Sequence, residues 1–227
     1  MQKTNTGCKV AACLAASVLL GSAASAQTAP GVIYDNTSSA TGSRTGEGNA
    51  EIGDSVIFSA NSGRTVTQVA FEYFVTPGSS GNETGQLFLY ANGAGGLPST
   101  LLYSSPSFNL SGGTTPSGFG TATISGISVN VPNSVAWTVA FSGLTGDEQA
   151  GLLFYNPPTV GSSPTFDRGD GQPVEFFLRN SAAGWQVLDT PLVTDNLNVQ
   201  FTAVPEPSTI ALLAGGLATM GMIRRRK

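Results

Sequence analysis

The chain predicts an all-β fold, an antiparallel two-sheet sandwich with jelly-roll-like organisation, with an immunoglobulin-like sandwich as the alternative. Three observations carry this. Between residues 27 and 203, β-branched and aromatic residues recur in short runs split by Gly, Pro and Asn, with turn signals about every 8–12 residues. Several runs alternate apolar and polar residues with period two, as a strand with one buried and one wet face requires. No stretch of this body carries a helical period, and no fixed-period repeat points to a propeller or solenoid.

The elements follow in order. Residues 31–35 form a first strand through Val32, Ile33 and Tyr34, and 36–49 read as a polar, glycine-rich loop. Residues 55–59 hold Val56, Ile57 and Phe58, and Asn61-Ser62-Gly63 turns the chain. Residues 65–76 form a long strand with Val69, Phe71, Tyr73 and Val75 on one face and Gln68 and Glu72 on the other. A loop over 77–84 leads to a strand at 86–91, a glycine-rich turn at 92–98, and short strands at 101–103 and 108–110 around Pro106. Residues 121–131 give a strand kinked at Gly126, with Ile127, Val129 and Val131 in phase, and Pro132-Asn133 turns it. Residues 134–142 alternate most cleanly: Val135, Trp137, Val139 and Phe141 face one way, Ala136, Thr138 and Ala140 the other. Strands at 152–155, 174–178 and 185–188 follow, the last two joined as a hairpin through 180–184. Leu197, Val199, Phe201 and Ala203 close the body in alternation, and the strand runs into Pro205.

Both ends read as targeting segments. Lys3 and Lys9, an apolar stretch over 10–20 and the small-x-small site Ala24-Ser25-Ala26 make residues 1–26 a secretory signal helix, cleaved after Ala26 by signal peptidase at the Sec translocon. Cys8 and Cys13 both lie inside it, so the exported chain has no cysteine and no disulfide. At the other end, residues 204–227 begin with prolines that can neither continue a helix nor join a central strand. An apolar helix over about 209–223 would span roughly 22 Å, short for a bilayer core. Arg224, Arg225, Arg226 and Lys227 stop transfer and stay on the cytoplasmic side. The tail thus holds an exported domain on the outer face of the inner membrane.

Val204-Pro205-Glu206-Pro207-Ser208-Thr209, with the short apolar segment and basic end behind it, resembles the PEP-CTERM sorting signal of exported Gram-negative bacterial proteins. The resemblance implies transient residence in the inner membrane, recognition by an exosortase (a membrane-embedded cysteine protease), and delivery to the cell surface or beyond. The body resembles the choice-of-anchor R group in Val32-Ile33-Tyr34-Asp35-Asn36, in Leu87-Phe88-Leu89-Tyr90 leading to Gly96-Leu97-Pro98-Ser99-Thr100-Leu101-Leu102, and in Val135-Ala136-Trp137-Thr138-Val139. That resemblance implies a β-rich module on an interchangeable anchor. It assigns no catalytic residue.

Charge and composition narrow the chemistry. The formal net charge is −4, but six of the ten cations sit in the two ends. Arg44, Arg64, Arg168 and Arg179 face thirteen carboxylates in the body, a formal charge of −9. This argues against nucleic acid or anionic lipid as partners. With no histidine anywhere, Ser-His-Asp, Cys-His and the usual zinc sites are excluded. The body has no lysine for Schiff-base or Ser-Lys chemistry, and the chain has no phosphate-binding or dinucleotide fingerprint. Carboxylates alone remain, and a glycosidase pair could draw on Glu72, Asp147, Glu148 or Glu175. They read as solvating charges, so no enzyme is expected.

Asp167-Arg168-Gly169-Asp170-Gly171 offers Asp167 and Asp170 as lesser candidates for calcium, although the spacing is not that of an EF-hand. No other cofactor is expected. The Arg-Gly-Asp within it and the sequons at Asn36, Asn82 and Asn109 carry little weight in a bacterial setting. Trp137 is in phase with core residues, whereas Trp185, beside Gly184, is the candidate sugar platform. The resulting expectation is a noncatalytic structural protein directed to the cell surface, and the family resemblance, not composition, implies its association with an extracellular matrix and biofilm exopolysaccharide. A noncatalytic carbohydrate-binding module is the alternative, and a polysaccharide-cleaving enzyme comes third.

Overall fold

Short β-branched and aromatic runs separated by turn residues build fourteen strands, and no α-helix, in the described part of the computed structural model. That part covers residues 30–59, 64–93, 96–110, 118–164, 176–180, 184–188 and 196–205. The strands are β1 (Gly31–Asp35), β2 (Ala40–Arg44), β3 (Glu51–Ile57), β4 (Arg64–Val75), β5 (Thr84–Asn92), β6 (Pro98–Ser104) and β7 (Phe108–Asn109). They continue as β8 (Phe119–Val131), β9 (Ser134–Ser142), β10 (Ala150–Tyr155), β11 (Phe176–Asn180), β12 (Gly184–Leu188), β13 (Asn196–Leu197) and β14 (Gln200–Pro205). The expected signal helix at 1–26 and membrane helix at 209–223 lie outside the described residues.

The strands form two antiparallel sheets. In the first, β1 pairs β14 and β14 pairs β4, whose opposite edge carries β8. Because β14 takes Arg64–Ala70 of β4, the remaining Tyr73–Val75 accepts β10, which extends the sheet to β2 and β13. The second sheet runs β12-β11-β3-β9-β5-β6, with β7 beside β6 on β5. From β3 to β10 the chain passes back and forth between the sheets, apart from β5–β7, which stay in the second sheet, as does the β11–β12 hairpin.

Period-two alternation closes the core. Val69, Phe71, Tyr73 and Val75 from β4 and Phe201 and Ala203 from β14 meet Leu87 and Leu89 from β5 and Val135, Trp137, Val139 and Phe141 from β9. Phe71 packs on Trp137 at 5.7 Å between ring centroids, and Phe58 meets Phe201 edge-on at 5.2 Å. β8 shows what one bulge does to such a pattern. Ala122 and Ile124 point inward before Gly126, and Ile127, Val129 and Val131 after it. The extra residues opposite Val66–Gln68, with Gly126 at φ +74°, restore the inward phase.

Apart from shifts of two or three residues at strand ends, as in β11, found at Phe176–Asn180 rather than 174–178, the structure departs from the sequence reading in four places. Residues 40–44, expected as loop, form β2 on the edge of β10. β3 starts at Glu51 rather than 55, because Glu51 and Asp54 are buried with partners. Asn198, expected on a wet face, is buried and its Oδ1 accepts the Glu72 N–H at 2.8 Å. The last strand breaks after Leu197 and resumes as β14, which continues two residues past Ala203.

Candidate functional site

Three places merit description: the C-terminal end of β14 and the outer face of each sheet. In β14, Phe201 and Ala203 are anchored in the core, paired with β1 on one edge and β4 on the other. β1 begins opposite Ala203, so among the described residues Val204 and Pro205 are paired with β4 alone, facing Thr65 and Arg64. Proline has no backbone N–H, so it ends a strand but does not continue one. Glu206, Pro207, Ser208, Thr209 and the basic Arg224 to Lys227 lie outside the described residues, as do Ala24 and Ala26.

On the outer face of the second sheet sits a buried carboxylate. Glu51, only 4% exposed, accepts the Tyr90 hydroxyl at 2.9 Å and the Thr138 hydroxyl at 2.6 Å through Oε1, while its Oε2 pairs with Arg179. Arg179 lies over the Trp185 ring at 4.9 Å, and Trp185 meets Tyr90 edge-on at 5.8 Å. In a flat sheet Tyr90 and Trp185, four strands apart, would be about 19 Å from each other. Their contact means that the β11–β12 hairpin curls back over the outer face, which buries Ala136 and Thr138 as well. Burial first, and then the Glu51 charge, pushes the Tyr90 hydroxyl up to about 12, with Arg179 pulling the other way.

The outer face of the first sheet is more open. Arg44 lies over the Phe74 ring at 3.6 Å, and Phe74 packs on Phe119, which is 42% exposed. Beside them a cleft of about 70 Å³ is lined by Gly42, Ser43, Arg44, Phe119, Leu153 and Tyr155, among others. The Tyr155 hydroxyl donates to Glu72 at 2.7 Å, and burial followed by that carboxylate pushes it up to about 12. Among the described residues Arg44 has no carboxylate partner, which leaves its guanidinium edge open to a polar ligand.

The expected candidates scatter. Glu72 is engaged with Tyr155. Glu148 accepts the Ser80 and Thr145 N–H groups at 2.9 and 2.7 Å and ties two loops together, and Asp147 is exposed nearby. Trp137 is fully buried in the core, as its phase predicts. Asn36 is fully buried, with its side-chain NH₂ donating to the Tyr155 carbonyl at 2.9 Å, so that sequon is inaccessible. Asp167, Asp170 and Glu175 lie outside the described residues. Sequence reasoning passed over Glu51, Tyr90, Arg44 and Phe119. The available signal was the scarcity of cations: two of the body's four arginines, Arg44 and Arg179, mark the two outer faces.

A family model of the PEP-CTERM protein-sorting motif matches residues 203–227. The match starts inside β14 and contains the whole box from Val204 to Thr209. It implies an exported protein with exosortase as its processing partner. No curated protein and no solved structure is significantly similar to the chain.

Proposed function

We propose that this protein is a noncatalytic structural module of the cell surface or extracellular matrix, associated with biofilm exopolysaccharide, whose tail is read and removed by an exosortase. The observation that carries the reading is the sorting-motif match at 203–227, placed where the β body ends. A signal peptide cleaved after Ala26 through the Sec translocon, and a short inner-membrane helix over about 209–223 backed by Arg224 to Lys227, complete the route. The order β1-β14-β4-β8 opposite β3-β9-β5-β6 supports a jelly-roll arrangement for the body. The resemblance to choice-of-anchor R modules supports a domain whose task is to be displayed. The absence of histidine and the engagement of Glu72 and Glu148 in structural hydrogen bonds support a noncatalytic role. Calcium at Asp167 and Asp170 remains an auxiliary candidate, to be checked by calorimetry with the metal alone.

The deciding experiment is pulse–chase of a variant with Pro205, Glu206 and Pro207 changed to alanine. The expected result is full-length precursor retained in the membrane fraction. Release at the native rate would overturn the sorting assignment.

The second reading is a noncatalytic carbohydrate-binding module. The observation that favours it is the pairing of aromatic rings with an arginine on both outer faces, Trp185 with Arg179, and Phe74, which packs on the half-exposed Phe119, with Arg44. Exopolysaccharide pull-down separates the two readings. Binding lost on Trp185→Ala or Phe119→Ala establishes the module, and no binding by the native protein leaves the structural reading.

A further inference from the structure

The sorting box and the sheet compete for the same backbone. Val204 and Pro205, the first two residues of the box, are paired with Thr65 and Arg64 of β4. That edge of β4 is braced from behind, because Arg64 and Thr65 also pair with Val131 and Asn130 of β8, and the Thr65 hydroxyl donates to the Asn130 side-chain oxygen at 2.6 Å. The seat for the box is therefore preformed. One step back, Ala203 is held by both β1 and β4 with its side chain in the core, so opening from the end stops there.

Distance makes the conflict acute. Five residue steps separate Pro205 from Ile210, where the apolar run begins. Fully extended, they reach at most about 17 Å. A tail held in the bilayer therefore keeps the edge of the folded body close to the membrane surface. A protease that reads an extended peptide uses its main-chain groups, and here the two residues at the start of the box are paired with β4, so one of the strand's two edges is taken up by the sheet.

We infer that the box is read only when Val204 and Pro205 have left the sheet, so that the body's own fold sets the rate at which its tail is processed. The inference rests on the exosortase reading proposed above. Processing then proceeds through fraying of the last two residues of β14, or ahead of its docking between β1 and β4. A body that has closed β14 onto β4 is a slow substrate, and one whose β14 end is loose is a fast one.

The test uses the full chain in its native host. Thr65 and Val204 face each other across the antiparallel pair, at a separation a disulfide spans. The two natural cysteines, Cys8 and Cys13, sit in the leader, so the exported Thr65→Cys, Val204→Cys double variant has one possible bridge. With the bridge confirmed on a non-reducing gel, processing is expected to slow by about tenfold or more, and to recover on adding reductant. Val204→Cys alone changes the first residue of the box, so it supplies the unbridged rate against which the bridged chain is compared, and equal rates for the two overturn the inference.

A second variant needs no bridge. Inserting Gly-Ser-Gly-Ser between Ala203 and Val204 moves the intact box clear of the sheet, and processing is expected to be several-fold faster. Native-rate processing of the bridged chain, or no acceleration by the insertion, overturns the inference. The alanine variant of Pro205, Glu206 and Pro207 keeps the two failures apart. If it too is processed normally, the exosortase reading has failed. If it is retained while the bridged chain is processed normally, the gating inference alone has failed.

Discussion

Replacing Glu51 with alanine should destabilise the body by about 3–5 kcal/mol. The figure follows from what the carboxylate holds. Its Oε1 accepts two hydroxyls, from Thr138, which is fully buried, and from Tyr90, which is nearly so. Hydrogen bonds to a charged group contribute about 1.5–3 kcal/mol each, and alanine leaves both donors without an acceptor in a dry site. The Arg179 pair adds little, because that side chain is 42% exposed and rehydrates when released. For a body spanning Pro30–Glu206, about 2–4 °C per kcal/mol translates the loss into a melting temperature lower by roughly 10–15 °C. Glu51→Gln keeps an oxygen facing the two hydroxyls and should cost about half as much. The assay is thermal unfolding of the exported chain by circular dichroism, with Arg179→Ala beside it. If Glu51→Ala costs no more than Arg179→Ala, the buried hydroxyls are not what the carboxylate stabilises, and the clamp as described is wrong.

Gly126→Ala should cost about 1–2 kcal/mol in chemical denaturation: nothing crowds a Cβ there, but φ is +74° and an L side chain is strained in that region. An unchanged midpoint would mean that β8 reaches its phase shift without the left-handed residue. Tyr90 and Tyr155 both titrate at about 12, above the ordinary 10.0, so their contribution is complete below pH 10 and is lost as pH rises from 10 toward 12. Denaturation midpoints that stay flat across that window in the native chain, or that fall as steeply in the Tyr90→Phe, Tyr155→Phe double variant, would contradict this. Glu83 behaves in the opposite sense. Burial alone would raise it, but hydrogen bonds from Ser80, its own backbone and Gly81 together hold it below 4.5. Its contribution is therefore present above the ordinary carboxylate range and is lost as pH falls through the lowered value. Acid-induced proteolysis of the 77–83 loop should begin at higher pH in Glu83→Gln, and identical pH profiles would refute the assignment.

The most regular strands were legible in the chain itself. β9 has the expected bounds and inward face, and β4 buries Val69, Phe71, Tyr73 and Val75 as their alternation requires. β2 was not legible, because Ala40–Arg44 has no apolar period and is a strand only through the edge that β10 offers. Glu51 falls between the loop and the strand that the sequence predicts, for a related reason. An acidic residue enters a strand interior only if partners neutralise it, and here they come from 39, 87 and 128 residues away. The setting of Trp185 was equally hidden: its neighbours Tyr90 and Arg179 meet it only because a hairpin folds over the sheet.

By itself, the sequence determined the features carried by consecutive residues: the alternating strands, the leader-like start and the sorting box beginning at Val204. Tertiary structure alone decided which acids are buried, which arginines reach the outer faces, and that the box begins inside a sheet. The physical reason is the range of the interactions. Period and motif are written along the chain, whereas edge pairing and the burial of a charge depend on groups that only folding brings within a few ångströms. For Val204 and Pro205 both hold at once: the chain spells a sorting signal, and the edge of β4 makes its first two residues part of a strand.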